Sequence, residues 1–410
     1  MKSILQYLKV FGLLMAVFFA FGIVACLMPD STVKRHVWQS VNRGDLANDY
    51  PLAILPREQC KMDNFTDALI LNQCYRMSKD SLLLSVMAPA RATGKMASVD
   101  VLRNETEGQV TGIEYYPRYW HGNTFLTRML LMFGDYSRIR VILYVLSTLL
   151  LVLTCIAVHR RAGLWPMIAL LLALMGVNAY VMQFSVQFFP VLALSLTAIW
   201  LLCGKEKNRN QIYMLMFVVG ALTAYFDLLT APLLTLGLPL CFVIWLMPKE
   251  TTPRQMVLLV ATVCLLWLLG YAGSWMFKWL LATLLTPINV FADAFGQVQH
   301  RTVDMYDFTR IDAIPENFRM LSATYLALAA ILIAVVSAVC FNGKNWWRAL
   351  VFAAVAVIPY VWYLVVANHS YLHAWFTYRE QAIAMLALMM AMLSVADMTA
   401  PRWRIFGRKH

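Results

Sequence analysis

The stretch Val141–Val158, VILYVLSTLLLVLTCIAV, contains no charged side chain and runs directly into His159-Arg160-Arg161. About 18 consecutive apolar residues suffice for a helix to cross the hydrocarbon core of a bilayer. Lys and Arg at the end of such a run hold the following loop on the cytoplasmic side. Similar runs recur along the chain, at roughly 9–28, 138–158, 164–183, 188–203, 211–226, 228–247, 255–276, 322–341, 348–366 and 379–396. The pattern predicts an all-α polytopic membrane protein with about ten transmembrane helices. Residues 1–410 are read as a single membrane-embedded domain.

Composition agrees. Hydrophobic residues make up 61% of the chain and charged residues 14%, against roughly a quarter charged in a soluble domain. The net charge of +12 could suggest a nucleic-acid partner. The basic residues, however, cluster between apolar runs rather than among aromatic side chains, so no nucleic-acid partner is expected. The apolar segment Val10–Met28 is longer than the core of a signal peptide and is read as an uncleaved first span.

Charge fixes an expected orientation. Lys2 and Lys9 start the chain inside, and the even-numbered spans lead to His159–Arg161, Lys205–Arg209, Lys249–Arg254, Lys344–Arg348 and Arg402–Lys409. All five carry positive charge, which predicts cytoplasmic N- and C-termini. Residues 30–137 then form a large first outer loop subdomain with amphipathic helices, and residues 277–321 a second outer loop. Short cytoplasmic loops favour a bacterial inner (plasma) membrane. Of the eight cysteines, only Cys60 and Cys74 lie in a watery segment. An oxidising compartment would permit a disulfide between them, the alternative being two free thiols.

Chemistry is expected where polar groups gather beside these spans. Asp63 and Asp67 stand four apart at the start of a helix and are the candidate catalytic acids. They are either a general base with a partner that positions substrate or a divalent metal, or a helix cap followed by a first-turn acid. Asp45 and Asp49 are rivals, but their Gly and Pro neighbours favour turn capping. The segment Tyr115–Asn123 puts Arg118, Trp120 and His121 among aromatic rings. Such rings suit sugar faces, and Arg suits phosphate, although an interfacial aromatic belt also enriches Trp and Tyr. Asp227 closes the fifth span, where an acid is costly unless paired or hydrated. Lys278, among Trp275, Phe277 and Trp279, could snorkel to a headgroup or neutralise a phosphate. In the last outer loop His369 and His373 are four apart, and Arg379 is a candidate phosphate ligand. Ser370 stands where a metalloprotease helix needs Glu, so no zinc set is assigned. No nucleotide-binding Gly-x-x-x-x-Gly-Lys-Ser/Thr motif, no Gly-x-Ser-x-Gly and no arginine ladder occurs. These absences argue against an ATPase, an α/β-hydrolase and a voltage sensor.

A cytoplasmic start, one span, a large outer loop bearing acids and then a multi-span bundle resembles the GT-C superfamily of integral-membrane glycosyltransferases. The resemblance lies in topology and covers most of the chain. It implies transfer of a sugar from a polyprenyl-phosphate or related lipid-linked donor to a glycan or lipid acceptor at the outer face. It also implies a catalytic acid in the first outer loop, a role that falls to Asp63, with Asp67 or Asp45 as alternates. The substrate-binding set would then be Arg118, Trp120, His121, Asp227, Lys278, His369, His373 and Arg379, with membrane lipids around the spans. No cofactor is required by the residues, and a divalent metal is the one that the acids could hold. The competing readings are a transporter or flippase of a lipid-linked or anionic substrate, an envelope acyl- or phosphotransferase using His121 or His373, and a non-catalytic partner in an envelope complex.

Overall fold

The computed structural model describes residues 2–53, 57–110, 112–302, 308–321 and 346–396, with isolated positions between 326 and 331. The protein is mostly helical. Four helices are long and apolar enough to cross a membrane: α1 (Lys2–Cys26, apolar from Ile4), α7 (Tyr136–Ala162), α12 (Pro253–Leu285) and α15 (Trp346–Val365). Between them lie shorter apolar helices, α8 (Leu164–Gly176), α9 (Phe189–Gly204) and α11 (Leu234–Leu246). α10 (Arg209–Phe226) and α18 (Gln381–Ser394) complete the bundle. The expected span at 322–341 lies almost entirely outside the described residues.

Burial sorts these helices into two layers. Only 22–33% of the apolar windows of the four long helices is buried. On α7, Val141, Val145, Leu149 and Val152 are all exposed. A continuous apolar surface of this kind is unfavourable in water and natural in lipid. α11 and α18 are instead buried almost all round, by residues such as Leu238, Cys241, Phe242, Leu386 and Met390. They form the centre, where length matters less because protein rather than lipid surrounds the backbone.

α10 and α12 cross very closely. A Cβ added at Gly220 would stand 2.1 Å from the Trp267 carbonyl oxygen, and one at Gly270 2.1 Å from that of Phe217. Both glycines are therefore required by backbone contact, the small-residue packing usual between membrane helices.

The segment expected as the first outer loop folds as a helical cap over one end of the bundle. It comprises α2 (Asp30–Asn42), α3 (Asn64–Arg76), α4 (Leu82–Met87), α5 (Ser98–Thr106) and α6 (Gly122–Leu130). α2 is amphipathic and turns Val33, Val37 and Val41 into a core shared with α3 and α5. The cap also has a two-stranded antiparallel ribbon, β1 (Ala90–Thr93) paired with β2 (Gly112–Tyr115) with Ala90 opposite Tyr115, which the all-helical expectation lacked. Arg128, fully buried, binds the cap to the bundle: it donates to the Ala25 carbonyl at 2.8 Å, to that of Cys74 and to Asp30.

Two expectations need correction. Cys60 and Cys74 are both buried free thiols, not a disulfide. Cys74 faces inward from α3 and donates to the Thr124 carbonyl at 3.2 Å, while Cys60 lies beside Tyr180 and Arg379. The segment from residue 277 does not begin as loop, because α12 continues to Leu285. Lys278 thus sits inside a long helix rather than at its end. The rest of that segment holds α13 (Val290–Thr302) and α14 (Ala313–Arg319).

Candidate active site

Under the cap lies a cavity of about 360 Å³. Its walls come from separate parts of the chain: α3 and Tyr50 before it, Arg91 on β1, the turn before α6, the Ser185–Phe188 link, Leu228 after α10, α13, and the segment that contains α16 (Ala367–Leu372) and α17 (Ala374–Thr377). Of the residues singled out from sequence, Asp63, His121, His369 and His373 line it.

Asp63 is the N-cap of α3 and accepts from the Thr66 N–H at 2.9 Å. Only 2% of it is exposed. Burial is the main reason its carboxyl is pushed up to about 7, and the nearby Asp67 charge adds to the effect. A carboxyl poised near neutrality can take a proton and release it again, which is what a general base needs.

His121 occupies the left-handed backbone region, with φ 62°, immediately before α6. Its Nε2 lies 2.6 Å from the Tyr116 carbonyl oxygen, which can only accept. Nε2 therefore carries the proton. Burial first, and the Lys278 charge second, lower its pKa to about 3, so the ring is neutral and Nδ1 keeps a bare lone pair. Nδ1 is buried and has no partner among the described residues. His369 repeats the arrangement, its Nε2 donating to the Leu229 carbonyl at 2.7 Å. His373 lies beside it with ring centroids 4.8 Å apart, and burial lowers its pKa to about 4.

The other candidates are placed elsewhere. Asp67 is fully buried and accepts from Tyr136 Oη, Ser185 Oγ at 2.9 Å and the Gln187 N–H at 3.3 Å. It fastens α3 to α7 and to the Ser185–Phe188 link. Trp120 is buried and donates its indole N–H to the Ser274 carbonyl at 2.8 Å. Asp227 closes the turn after α10 by accepting from the N–H groups of Leu229 and Thr230 at 2.8 and 3.0 Å. Lys278 donates to the Met87 carbonyl at 2.7 Å and lies 5.5 Å from the Trp120 ring centroid. Arg379 lies over Phe188 and beside Asp63, without lining the cavity. Arg118 grips both oxygens of Asp293 at 2.7 and 2.8 Å and so pins α13. The candidates thus divide: Asp63, His121, His369 and His373 line the cavity, whereas Asp227, Lys278 and Arg379 hold the surrounding backbone and rings.

A second cavity, of about 300 Å³, adjoins the first. Its walls are mostly apolar, with Tyr271, Trp275, Met276, Trp279, Val298 and Trp362 among them. Tyr119, Gln297 and Arg301 line both cavities. Arg301 donates to Tyr119 Oη at 2.9 Å and sets a cation at the junction. Sequence reading missed Arg301, Gln297 and His300, all on α13. In sequence they read as the solvated face of an amphipathic helix, and nothing local tells that face from one turned toward a cavity. Among the described residues no group of three or more His, Cys, Asp or Glu side chains is placed to hold a metal ion. The chain matches no family model, and no curated protein or solved structure proved similar to it.

Proposed function

We propose that this protein is a membrane-embedded glycosyltransferase that moves a sugar from a polyprenyl-phosphate donor to an acceptor at the outer face of a bacterial inner membrane. The observation that carries the reading is the pair of joined cavities: a polar one holding Asp63, and an apolar one walled by tryptophans, with Arg301 at the junction. An amphiphilic donor has the same division into a polar head and a greasy chain. In this scheme the isoprenoid lies in the apolar cavity, which α12, α13 and α15 border. Its phosphate sits near Arg301 and Tyr119, and its sugar enters the polar cavity.

The reaction follows from that placement. The Asp63 carboxylate takes the proton of an acceptor hydroxyl as the hydroxyl oxygen forms its bond to the anomeric carbon. The bond from that carbon to the phosphate oxygen breaks, and its electron pair stays on the polyprenyl phosphate. Arg301 and the Tyr119 hydroxyl stabilise the charge that grows there. The transferase is favoured over a transporter because the polar groups collect at one end of the bundle, while Asp227 and Lys278 are bonded to backbone within their own surroundings.

The test is direct. Full-length protein in lipid nanodiscs is incubated with a panel of radiolabelled polyprenyl-phosphate sugars, beside its Asp63→Asn variant. Transfer or donor cleavage that falls by about 10²- to 10⁴-fold in the variant is the expected outcome. Undiminished turnover would remove Asp63 as the base, and no turnover of any donor by the wild type would remove the transferase.

A further inference from the structure

The polar cavity has features that the donor alone does not explain. Three rings stand at its edge: Tyr50, Phe65 and Trp375. Tyr50 stacks on Phe65 with centroids 5.8 Å apart and meets Trp375 edge-on at 5.4 Å. Tyr50 is 43% exposed and Phe65 36%. They come from distant parts of the chain, yet form one continuous aromatic surface. The Phe65 N–H donates to the Asp49 carbonyl at 3.0 Å, which holds this part of the surface in place.

Around the same cavity, buried acceptors lack donors. The proton on His121 Nε2 leaves Nδ1 as an acceptor, and none of the described residues reaches it. Asn368 donates its Nδ2 to the His300 carbonyl at 2.8 Å, which fixes the amide orientation and leaves Oδ1 as a second buried acceptor without a partner. His369 donates from Nε2 to the Leu229 carbonyl, so its Nδ1 is also an acceptor. Buried polar groups that the protein leaves open are matched by water or by a ligand. A ligand that suits this cavity must therefore offer several hydroxyl donors and acceptors and, at the mouth, a flat C–H face to lie on aromatic rings.

We infer that the polar cavity and its Tyr50–Phe65–Trp375 edge form the acceptor site, and that the acceptor is a saccharide rather than a peptide or a simple lipid. The identification of this ligand as an acceptor rests on the transferase reading; its identification as a polyhydroxylated ring does not. A peptide spaces its backbone N–H donors one per residue along the chain, whereas a sugar ring presents several hydroxyl donors close together beside a C–H face that lies on aromatic rings. A lipid acceptor would need the apolar cavity for its chain, which the donor's isoprenoid already fills in this scheme. In the complex, sugar hydroxyls donate to His121 Nδ1, Asn368 Oδ1 and His369 Nδ1. A second ring of the chain lies on Trp375. Asp63 faces the hydroxyl that reacts.

The test measures binding apart from turnover. Nanodisc-embedded protein is titrated with maltohexaose, chitohexaose, cellohexaose and a mixed set of bacterial cell-wall oligosaccharides, followed by tryptophan fluorescence and by saturation-transfer NMR. The wild type, Asp63→Asn, Trp375→Ala, Tyr50→Ala and Asn368→Asp are compared, and thermal unfolding checks that each is folded. The expected result is that at least one saccharide binds the wild type. Its dissociation constant should rise about tenfold in Trp375→Ala, as loss of one ring contact implies. Tyr50→Ala, which keeps Trp375, should show a smaller rise and so confirm the edge even if the tryptophan variant folds poorly. Equal saccharide affinity in folded Trp375→Ala and Tyr50→Ala would overturn the inference. So would donor cleavage by a protein that binds none of the saccharides, an outcome that leaves the transferase intact. Saccharide binding that depends on Trp375, in a protein that cleaves no donor, would keep the site and remove the transferase.

Discussion

Asp63 is asked to do two things with opposite electrostatic demands. As the N-cap of α3 it gains from being ionised, whereas its burial favours the neutral acid, and burial prevails to give a pKa of about 7. A base must be deprotonated, so transfer should rise as pH climbs through about 7 and level off above it. His121, with its pKa lowered to about 3, stays neutral throughout and adds no second limb in that range. A pH–rate profile checks this, and a flat profile between about pH 5 and 9 would count against Asp63. The same shift bears on stability. The folded-state pKa lies above the ordinary carboxyl value, so folding favours the protonated form. That contribution is complete below the unfolded pKa and is lost as pH rises through about 7. Asn caps helices as well as Asp does and cannot ionise. Asp63→Asn should therefore melt no lower than wild type at alkaline pH while being inactive. Asp67→Ala should instead lose about 1–3 kcal/mol, because Tyr136, Ser185 and Gln187 would be left without their acceptor. Thermal unfolding of the two variants side by side separates the roles. The sequence could not divide this pair. Four-residue spacing predicts a shared helical face, but Asp63 lies outside the helix as its cap, and only Asp67 has a place on a face.

Among the elements, α10 and α12 are held together by absence of side chain. Gly270→Ala would push a methyl group into the Phe217 carbonyl, where backbone leaves no room to give. A cost of about 1–3 kcal/mol is expected. Gly273, one turn away, meets only the ring edge of Phe11 at 3.5 Å, an ordinary contact. Gly273→Ala should stay within about 0.5 kcal/mol of wild type. Unfolding of both variants in the same detergent tests the crossing, and equal stability would show that the helices are not so close. α1, α7, α12 and α15 were legible from hydropathy because lipid-facing helices must be apolar over their whole length. The central helices were harder to bound. α11 sits inside protein, which relieves the length requirement, so the apolar run no longer reports where the helix stops. α13 was hidden for a different reason. Its Gln297, His300 and Arg301 look solvated in sequence, and only the fold turns them onto a cavity.

Taken whole, the molecule joins long helices with exposed apolar faces to a polar chamber, through a junction that carries a cation. That arrangement brings Asp63 and the histidines at 121, 369 and 373 together from positions far apart in the chain. The residue types were visible in sequence, but their separation into lining groups and backbone braces was not. Trp120, Asp227 and Lys278 look no different in sequence from the lining groups, and differ in lying off the cavity wall, each bonded to backbone there. The central claim is that the apolar cavity holds the chain of a donor whose head reaches Asp63. Photocrosslinking tests it most directly: a polyprenyl-phosphate sugar with a diazirine in its first isoprene units is bound in nanodiscs, irradiated, and its adducts mapped by mass spectrometry. Adducts concentrated on Trp275, Met276, Val298 and Trp362, and competed away by unlabelled donor, are the predicted result. Labelling spread over the exposed face of α7, insensitive to that competitor, would contradict the account.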